Sequence, residues 1–509
     1  MKAHPMTLAR ILLATAVLGV GGCTMGPDFE RPDASLPAAF AFDEHPAAAP
    51  DAAMMEAWWA SFDDPVLVEL VDIARRDSFD LRIAASRIEQ ARYGLASTRG
   101  LGLPSVEAVG SGSVTRLSEN SGVSALASAF GGGASGGTGG GGAGGSGGTG
   151  QGIGLPGTTF ESYSAGFDAR WELDLFGKAK RTREAASAQV EQALWSERAA
   201  QVSVAAEVAR TYFMLRSIQE QLALDEAEIA DLERALDIDR TRVEEGLAPA
   251  SILPGDDTDV ARLRADLEQL RGQHQVTLAS LSVLLGRTVQ EVAPLVEAAP
   301  DADRFAVPTI SPGTPASLLR RRPDIAVAEA QLHAATAKIG VETAALFPDV
   351  SLTGIVELLA GNLSKLISTD SVQAVGQGQV SFPILDFGRG KAMVGQARAA
   401  ADESYLSYRQ TVLVALADTE TALSQVETAR REREMAAEIV ANAAAALRSA
   451  QSAHESGLTN LTPVLQRRIA FREAEASLVQ AEATLRMATV ALFKALGGGW
   501  SGDPEPAQD

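Results

Sequence analysis

Cysteine is almost missing from this 509-residue chain: Cys23 is the single one. That excludes an internal disulfide framework and a cysteine-built metal cage. The five histidines, His4, His45, His274, His333 and His454, share no ligand spacing. Aromatic residues make up only 5%. Positive charge is also short, with 44 Lys+Arg against 65 Asp+Glu for a net −21. A nucleic-acid binder needs the opposite balance on the face that meets phosphate. Beyond the N-terminus no run of about 18 apolar residues occurs, so no ordinary membrane-spanning helix is expected. Catalytic signatures are lacking too. Gly177-Lys178 has neither the earlier glycine nor the following Ser/Thr of a phosphate loop. These absences point to a protein that is no enzyme and carries no cofactor or metal.

The N-terminus reads as a secretory address. Lys2 and Arg10 precede the apolar run Ile11–Val20, and Gly21-Gly22 lead to Cys23. Small residues before a lone cysteine resemble a bacterial lipoprotein cleavage box, with Val20 where leucine is more usual. Residues 1–22 are therefore assigned as signal peptide and Cys23 as the lipidation site. Loss of Lys2 and Arg10 with no acid takes the charge from −21 to −23. Thr24 in place of aspartate resembles lipoproteins sorted to the outer membrane.

The body repeats itself. Asp80-Leu81 recurs as Asp324-Ile325 and Leu103-Pro104 as Phe347-Pro348, both at an offset of 244. Phe176-Gly177 recurs as Phe387-Gly388, Gly246-Leu247 as Gly457-Leu458 and Leu285-Gly286 as Leu496-Gly497, all at 211. The step of 33 falls where the first copy carries Gly131–Gly150, a tract with 14 glycines in 20 residues. Such a tract cannot bury enough apolar area to offset its ordering entropy. The expected division is a tail over 23–63, a first repeat over 64–287 with a glycine-rich loop at 118–157, a connector over 288–315, a second repeat over 316–498, and a C-terminal tail over 499–509.

Each copy reads as helix, two strands, long helix, helix. Strands are expected at about 104–117, 159–173, 347–358 and 372–383. In the second, Tyr163, Ala165, Phe167, Ala169 and Trp171 alternate with Ser162, Ser164, Gly166, Asp168 and Arg170, the period-two pattern of a sheet with unlike faces. From Lys178 to Glu245 there is no proline, and Leu215, Leu222, Ile229, Leu236 and Val243 form a heptad seam. The next helix carries Val260, Leu267, His274 and Leu281 in register, with His274 read as a polar packing residue rather than a ligand. Its counterpart sets Phe471, Leu478, Leu485 and Leu492 beside Ala474, Ala481, Ala488 and Ala495. Four strands cannot close a barrel alone, and an open sheet edge is not tolerated in lipid. Strands in a membrane would have to be completed by sister chains.

Several segments carry a family resemblance: Gly22–Pro32 around Cys23, Trp58-Trp59 with Phe62–Leu67, Arg320–Ile325, Leu173–Gly177, and Leu385–Gly388. Together they resemble TolC-like outer-membrane efflux lipoproteins over residues 22 to about 500. The resemblance implies an α+β membrane protein. A long antiparallel coiled-coil α-barrel would be continuous with a trimeric 12-stranded transmembrane β-barrel, four strands per chain. It also implies a homotrimer, lipid-anchored in the outer membrane and reaching into the periplasm, that works with a periplasmic adaptor and an inner-membrane RND-type pump to expel small molecules. By the same resemblance the helix turns are adaptor-contact tips, with Gly246, Leu247, Gly457 and Leu458 as candidates, and the helices just beyond them constrict the tunnel. The candidates there are Asp256, Asp257 and Asp259 after the first tip and Gln466, Arg467 and Arg468 after the second. Many relatives carry aspartate where this chain has Gln466. The expectation is that the acids pair with Arg467 and Arg468 across helices and hold the aperture closed; the alternative is a solvated helix start favoured by the helix dipole. Two other functions stay open: a protein-secretion duct of the type I kind, and a structural envelope lipoprotein without a pore.

Overall fold

A computed structural model describes residues 24–33, 36–42, 52–116, 159–297, 307–308 and 310–500. The signal segment, Cys23, the glycine-rich tract and residues 501–509 lie outside the described residues. The described chain divides into two units, one built from Met1–Pro27, Ala96–Arg183 and Ile339–Gly395, the other from Asp28–Leu95, Glu184–Lys338 and Gln396–Asp509.

The first unit is organised by a four-stranded antiparallel sheet: β1 (Ser105–Arg116), β2 (Thr159–Leu173), β3 (Asp349–Ala360) and β4 (Val372–Ser381), in the order β1-β2-β3-β4. β1 and β4 are therefore its edges. β3 begins two residues later than the sequence pattern suggests, because Leu346 and Phe347 still close the preceding helix through bonds to Thr343 and Ala344 carbonyls. The N-terminal segment is fastened to this unit. Met25 N–H donates to the Phe176 carbonyl, and the buried Arg181 donates to the carbonyls of Met25 and Gly26 at 3.1 and 3.3 Å. A side chain at Gly26 would meet the Gly340 backbone at 2.5 Å, so both positions hold glycine for close approach.

Most of the helical residues belong to the second unit. The helices are α1 (Ala52–Glu56), α2 (Pro65–Asp77), α3 (Phe79–Arg99), α4 (Lys178–Glu244), α5 (Leu253–Leu285), α6 (Val289–Glu297), α7 (Pro315–Arg321), α8 (Pro323–Ala344), α9 (Arg389–Glu455) and α10 (Thr462–Ala495). α4 and α9 each have 67 residues, about 100 Å at 1.5 Å per residue. None of the described helices is long and apolar enough to cross a membrane. Local chemistry sets the ends. Asp64 caps α2 by accepting from Val66 N–H and Leu67 N–H ahead of Pro65, a cap whose removal costs ~1 kcal/mol. α5 stops at Gly286, which takes the left-handed conformation at φ 66°.

Of the α4 heptad seam Leu215 and Leu236 are buried and Leu222, Ile229 and Val243 half-buried; on α5 Val260, Leu267 and Leu281 are buried. Ala474, Ala488 and Ala495 on α10 are buried beside Leu485 and Leu492, small residues that let backbones come close. The largest side chains of this core come from an unexpected place. Trp58, Trp59 and Phe62, at the end of the segment expected as an N-terminal tail, form a short 3₁₀ turn and are almost wholly inaccessible. Trp58 stacks on Phe493 at 5.1 Å, and Phe62 meets Phe213 at 5.0 Å. The last described residues, Gly499 and Trp500, return to the same region. Gly499 N–H donates to Met55, Trp500 Nε1–H donates to the Arg321 carbonyl, and the Arg198 guanidinium lies between the Trp195 and Trp500 rings.

Candidate functional site

The sheet has one apolar face and one that is mostly polar, on which Val109, Leu359 and the Ile355–Val375 pair also lie. Phe167 faces Val356 across β2–β3 and Ala108 across β1–β2; Trp171 faces Leu352; Val350 faces Val380. This face is apolar, and Val106, Phe167, Val356 and Val380 are exposed on it. The opposite face pairs Ser111 with Ser164, Arg170 with Thr353 and Gln379 with Ser351. Ser111 and Ser164 also share a hydroxyl hydrogen bond at 2.9 Å. In the single chain the apolar face is largely open to solvent, as is the mostly polar face of the edge strands.

The tips are glycine turns. Gly246 (φ 69°) ends the turn after α4, with Leu247 N–H and Ala248 N–H returning to the Arg242 carbonyl. Gly457 (φ 72°) does the same after α9, where Leu458 N–H returns to Ala453. Both need the left-handed region that glycine enters without strain. Leu247 and Leu458 stand 72% and 81% exposed, so each turn displays one large apolar side chain. At the second tip His454 Nδ1 lies 3.0 Å from the Thr459 carbonyl, which can only accept, so the ring carries its proton on Nδ1.

The structure places three of the candidate aperture residues, Asp257, Asp259 and Arg468, in ion pairs, with partners other than those expected. Arg468 Nη1 on α10 meets Asp231 on α4 at 2.9 Å, and Asp231 is buried. Arg240 on α4 meets Asp257 on α5 at 2.8 Å, while Asp259 faces Arg262 on its own helix at 3.8 Å. Gln466 and Arg467 are exposed; the Asp256 side chain lies outside the described residues. The inter-helix pairs thus run from each shorter helix to α4. Nothing in the local sequence marks Asp231, which is 237 positions from Arg468 and sits among many acids on α4.

N-terminal to Asp231 on the same helix lie three carboxylates that burial makes costly to ionise. Glu220, Asp225 and Glu228 on α4 are all raised above the ordinary carboxylate range, burial being the main cause in each. The charges of Glu482, Asp266 and Glu473 add respectively to these shifts, and Arg486 opposes at Glu220. His274 is half-buried beside this row with Nε2 3.4 Å from the Gln219 amide nitrogen, in keeping with a packing role. Among the described residues no group of His, Cys, Asp or Glu is arranged to hold a metal ion.

One more polar centre was present in the sequence only as part of the Arg320–Ile325 landmark. Arg322, buried after α7, donates to the Ala495 carbonyl at the end of α10 (3.0 Å) and the Ala415 carbonyl inside α9 (3.4 Å). It also donates to Asp324 (2.7 Å) and Asp418 (3.1 Å). Burial works against its charge, and the two carboxylates more than offset that, leaving its pKa raised.

Comparison with known proteins follows the same outline. The sequence pattern of the family described as outer membrane efflux protein matches residues 70–287 and 314–498. The pyoverdine export outer membrane protein OpmQ of Pseudomonas putida is 29% identical over 88% of this chain and 88% of its own length. The probable efflux pump outer membrane protein TtgC of the same species is 29% identical over 97% and 96%. Among solved structures, the outer-membrane channel OprN superposes with a TM-score of 0.78 at 28% identity, covering 94% of this chain and all of that one.

Proposed function

This chain belongs to the outer membrane efflux protein family as the outer-membrane channel of an efflux system, and on that premise we propose that three copies close one 12-stranded barrel. The observation that carries the proposal is the sheet itself: four strands, an apolar face with large exposed side chains, a mostly polar opposite face, and two edges. In hydrocarbon each unpaired backbone group costs several kcal/mol, so the edges must be paired. Four strands are too few to curl onto themselves, since about eight is the working minimum. A cyclic assembly solves both problems, and the polar faces then line a wet channel.

The two 67-residue helices, each preceded by a strand pair and followed by a helix of 33 or 34 residues, support the reading of two repeats around this channel. The helical hairpins would extend the conduit into the periplasm. Their tips, with Leu247 and Leu458 displayed, would meet a periplasmic adaptor, and through it an inner-membrane pump. The Asp231–Arg468 and Arg240–Asp257 pairs lie within a few turns of these tips and are proposed as ties that narrow the aperture. Cys23, one residue before the fastened Thr24–Gly26 segment, would carry lipid, each buried CH₂ adding roughly 0.8 kcal/mol. OpmQ exports pyoverdine by name, which favours small molecules over polypeptides as cargo; a passive conduit leaves the choice among them to the pump.

Planar-bilayer recording of the purified chain tests this reading. Discrete conductance steps from a species of three chains by light scattering are expected. A single-chain species without conductance would refute it and favour an envelope strut.

A further inference from the structure

One cavity in the second unit is walled by arginines. Arg430 and Arg433 of α9 and Arg486 of α10 line a space of about 230 Å³. Glu434 and Glu482 are the carboxylates on its wall, and Val307 from the connector packs beside Leu485 as its apolar side. At roughly 30 Å³ per water, such a space has room for several waters and therefore for a four-oxygen anion. Three guanidiniums against two carboxylates leave the wall positive, in a chain whose net charge is −21. Arg486 is 3% exposed. Glu482 is shared between two of the cations: it accepts from Arg433 through Oε1 at 3.2 Å and from Arg486 through Oε2 at 3.3 Å. Glu220 of α4 also interacts with Arg486, but burial raises its pKa, so it offers less negative charge than an ordinary glutamate. Glu434 is exposed, where water and salt screen it.

Helix packing does not call for these cations. At the offset of 211 the counterparts of Arg430, Arg433 and Arg486 in the first repeat are Gln219, Leu222 and Gln275, all uncharged. The first repeat also shows what the Arg430 position does. Gln219 donates through Nε2 to the Val296 carbonyl at 3.2 Å, alongside Arg216 at 2.9 Å. There the chain itself supplies the oxygen acceptor. In the second repeat the donor is a guanidinium, and it lines the cavity. A guanidinium fork matches the paired oxygens of a carboxylate or phosphate better than a single carbonyl. We propose that this cavity is an oxyanion site, which takes a phosphate or carboxylate group between Arg430 and Arg433 of α9 and Arg486 of α10. The bound group would join the two helices beside Val307. Arg486 supplies the buried pole, where a hydrogen bond to an anion is stronger than at the surface. Chloride, a single atom, cannot offer separate oxygens to separate guanidiniums.

Isothermal titration calorimetry on the detergent-purified full chain, in chloride buffer at constant ionic strength, tests the site with inorganic phosphate and with succinate. Saturable binding of one anion per chain is expected. Phosphate binding alone would identify a phosphate ligand, and succinate binding alone a carboxylate one. Arg430, which is half-buried, carries the test rather than Arg486, because replacing a buried arginine also disturbs packing. Arg430→Gln installs the first-repeat residue and should weaken binding at least about tenfold, the worth of one hydrogen bond to a charged group, with helix content by circular dichroism unchanged. Arg448→Gln, on the same helix but outside the cavity, should leave binding as it was. Equal weakening by the two variants would reduce the effect to general charge and overturn the site. Binding untouched by Arg430→Gln would overturn it too, as would the absence of both saturable heat and a shift in thermal midpoint with either anion.

Discussion

Replacing Arg322 with methionine removes a charge while keeping much of its volume, and the structure fixes what that costs. Arg322 makes five hydrogen bonds, to Asp324 twice, Asp418, Ala415 and Ala495. The two carboxylates are 43% and 49% exposed, so on losing the arginine they return to water. Each of those pairs contributes only about 0–1 kcal/mol. The carbonyls differ. Ala415 retains the Thr419 hydroxyl at 2.9 Å, while Ala495 keeps only a 3.4 Å contact with that same hydroxyl. Leaving a buried acceptor with so poor a donor costs about 1–3 kcal/mol. The expected loss for Arg322→Met is about 2–4 kcal/mol, less than for a fully buried ion pair. Arg322→Lys, with one donor head in place of a planar fork, should lose about 1–2 kcal/mol. Urea unfolding followed by far-ultraviolet circular dichroism, with the midpoint shift multiplied by the slope, measures both. Methionine matching the wild type, or lysine falling below methionine, would refute the assignment of the carbonyl contacts as the main contribution.

Trp58→Ala should cost about 3–5 kcal/mol, since the ring is wholly buried against Phe493, Trp59 and Phe62. Near-ultraviolet circular dichroism should lose its tryptophan bands together with the unfolding midpoint. Glu228 is raised by burial and then by Glu473 and Asp225. A raised carboxylate favours the folded state below its unfolded value near 4.5 and gives up that favour as pH rises through the folded value. Glu228→Gln should therefore raise the thermal midpoint at pH 7, with the gain shrinking as pH falls toward 4.5; a gain constant with pH would exclude titration of Glu228 as the cause. Arg468→Ala leaves the buried Asp231 with Arg234 as its remaining described ion partner, and the closed-state leak in planar bilayers should rise. The exposed Arg467→Ala should change it less, and equal leak from the two would remove Asp231–Arg468 from the aperture.

Periodic features were legible in the sequence because they report a single element's environment. The alternation from Ser162 to Trp171 marks two unlike faces, and β2 has them. The proline-free stretch after Gly177 became a helix ending at Glu244, with the heptad leucines inside. Partners were not legible, because periodicity gives a direction without an address. Asp257 was expected against Arg467 or Arg468 and meets Arg240, while Arg468 meets Asp231. On α4, where acids recur every few residues, nothing local distinguishes the buried Asp231 that meets Arg468. The aromatic cluster escaped for another reason. Trp58, Trp59 and Phe62 form a turn too short to show a period, so their core role follows from Phe213 and Phe493, more than 150 residues away.

Duplication supplies part of what periodicity withholds. Where a repeated residue finds its partner inside the chain in one copy, that contact states the geometry expected of the other copy. Phe176 is half-buried on Phe347, while Phe387 stands open beside an edge strand. The difference cannot come from residue type, since both are phenylalanine before a left-handed glycine, Gly177 and Gly388. Two things differ: Phe387 itself takes a left-handed backbone at φ 53°, and β2 has a following strand in its own chain while β4 does not. The exposed ring therefore marks the end of β4 as the place where the second copy of the repeat lacks the contact the first one makes.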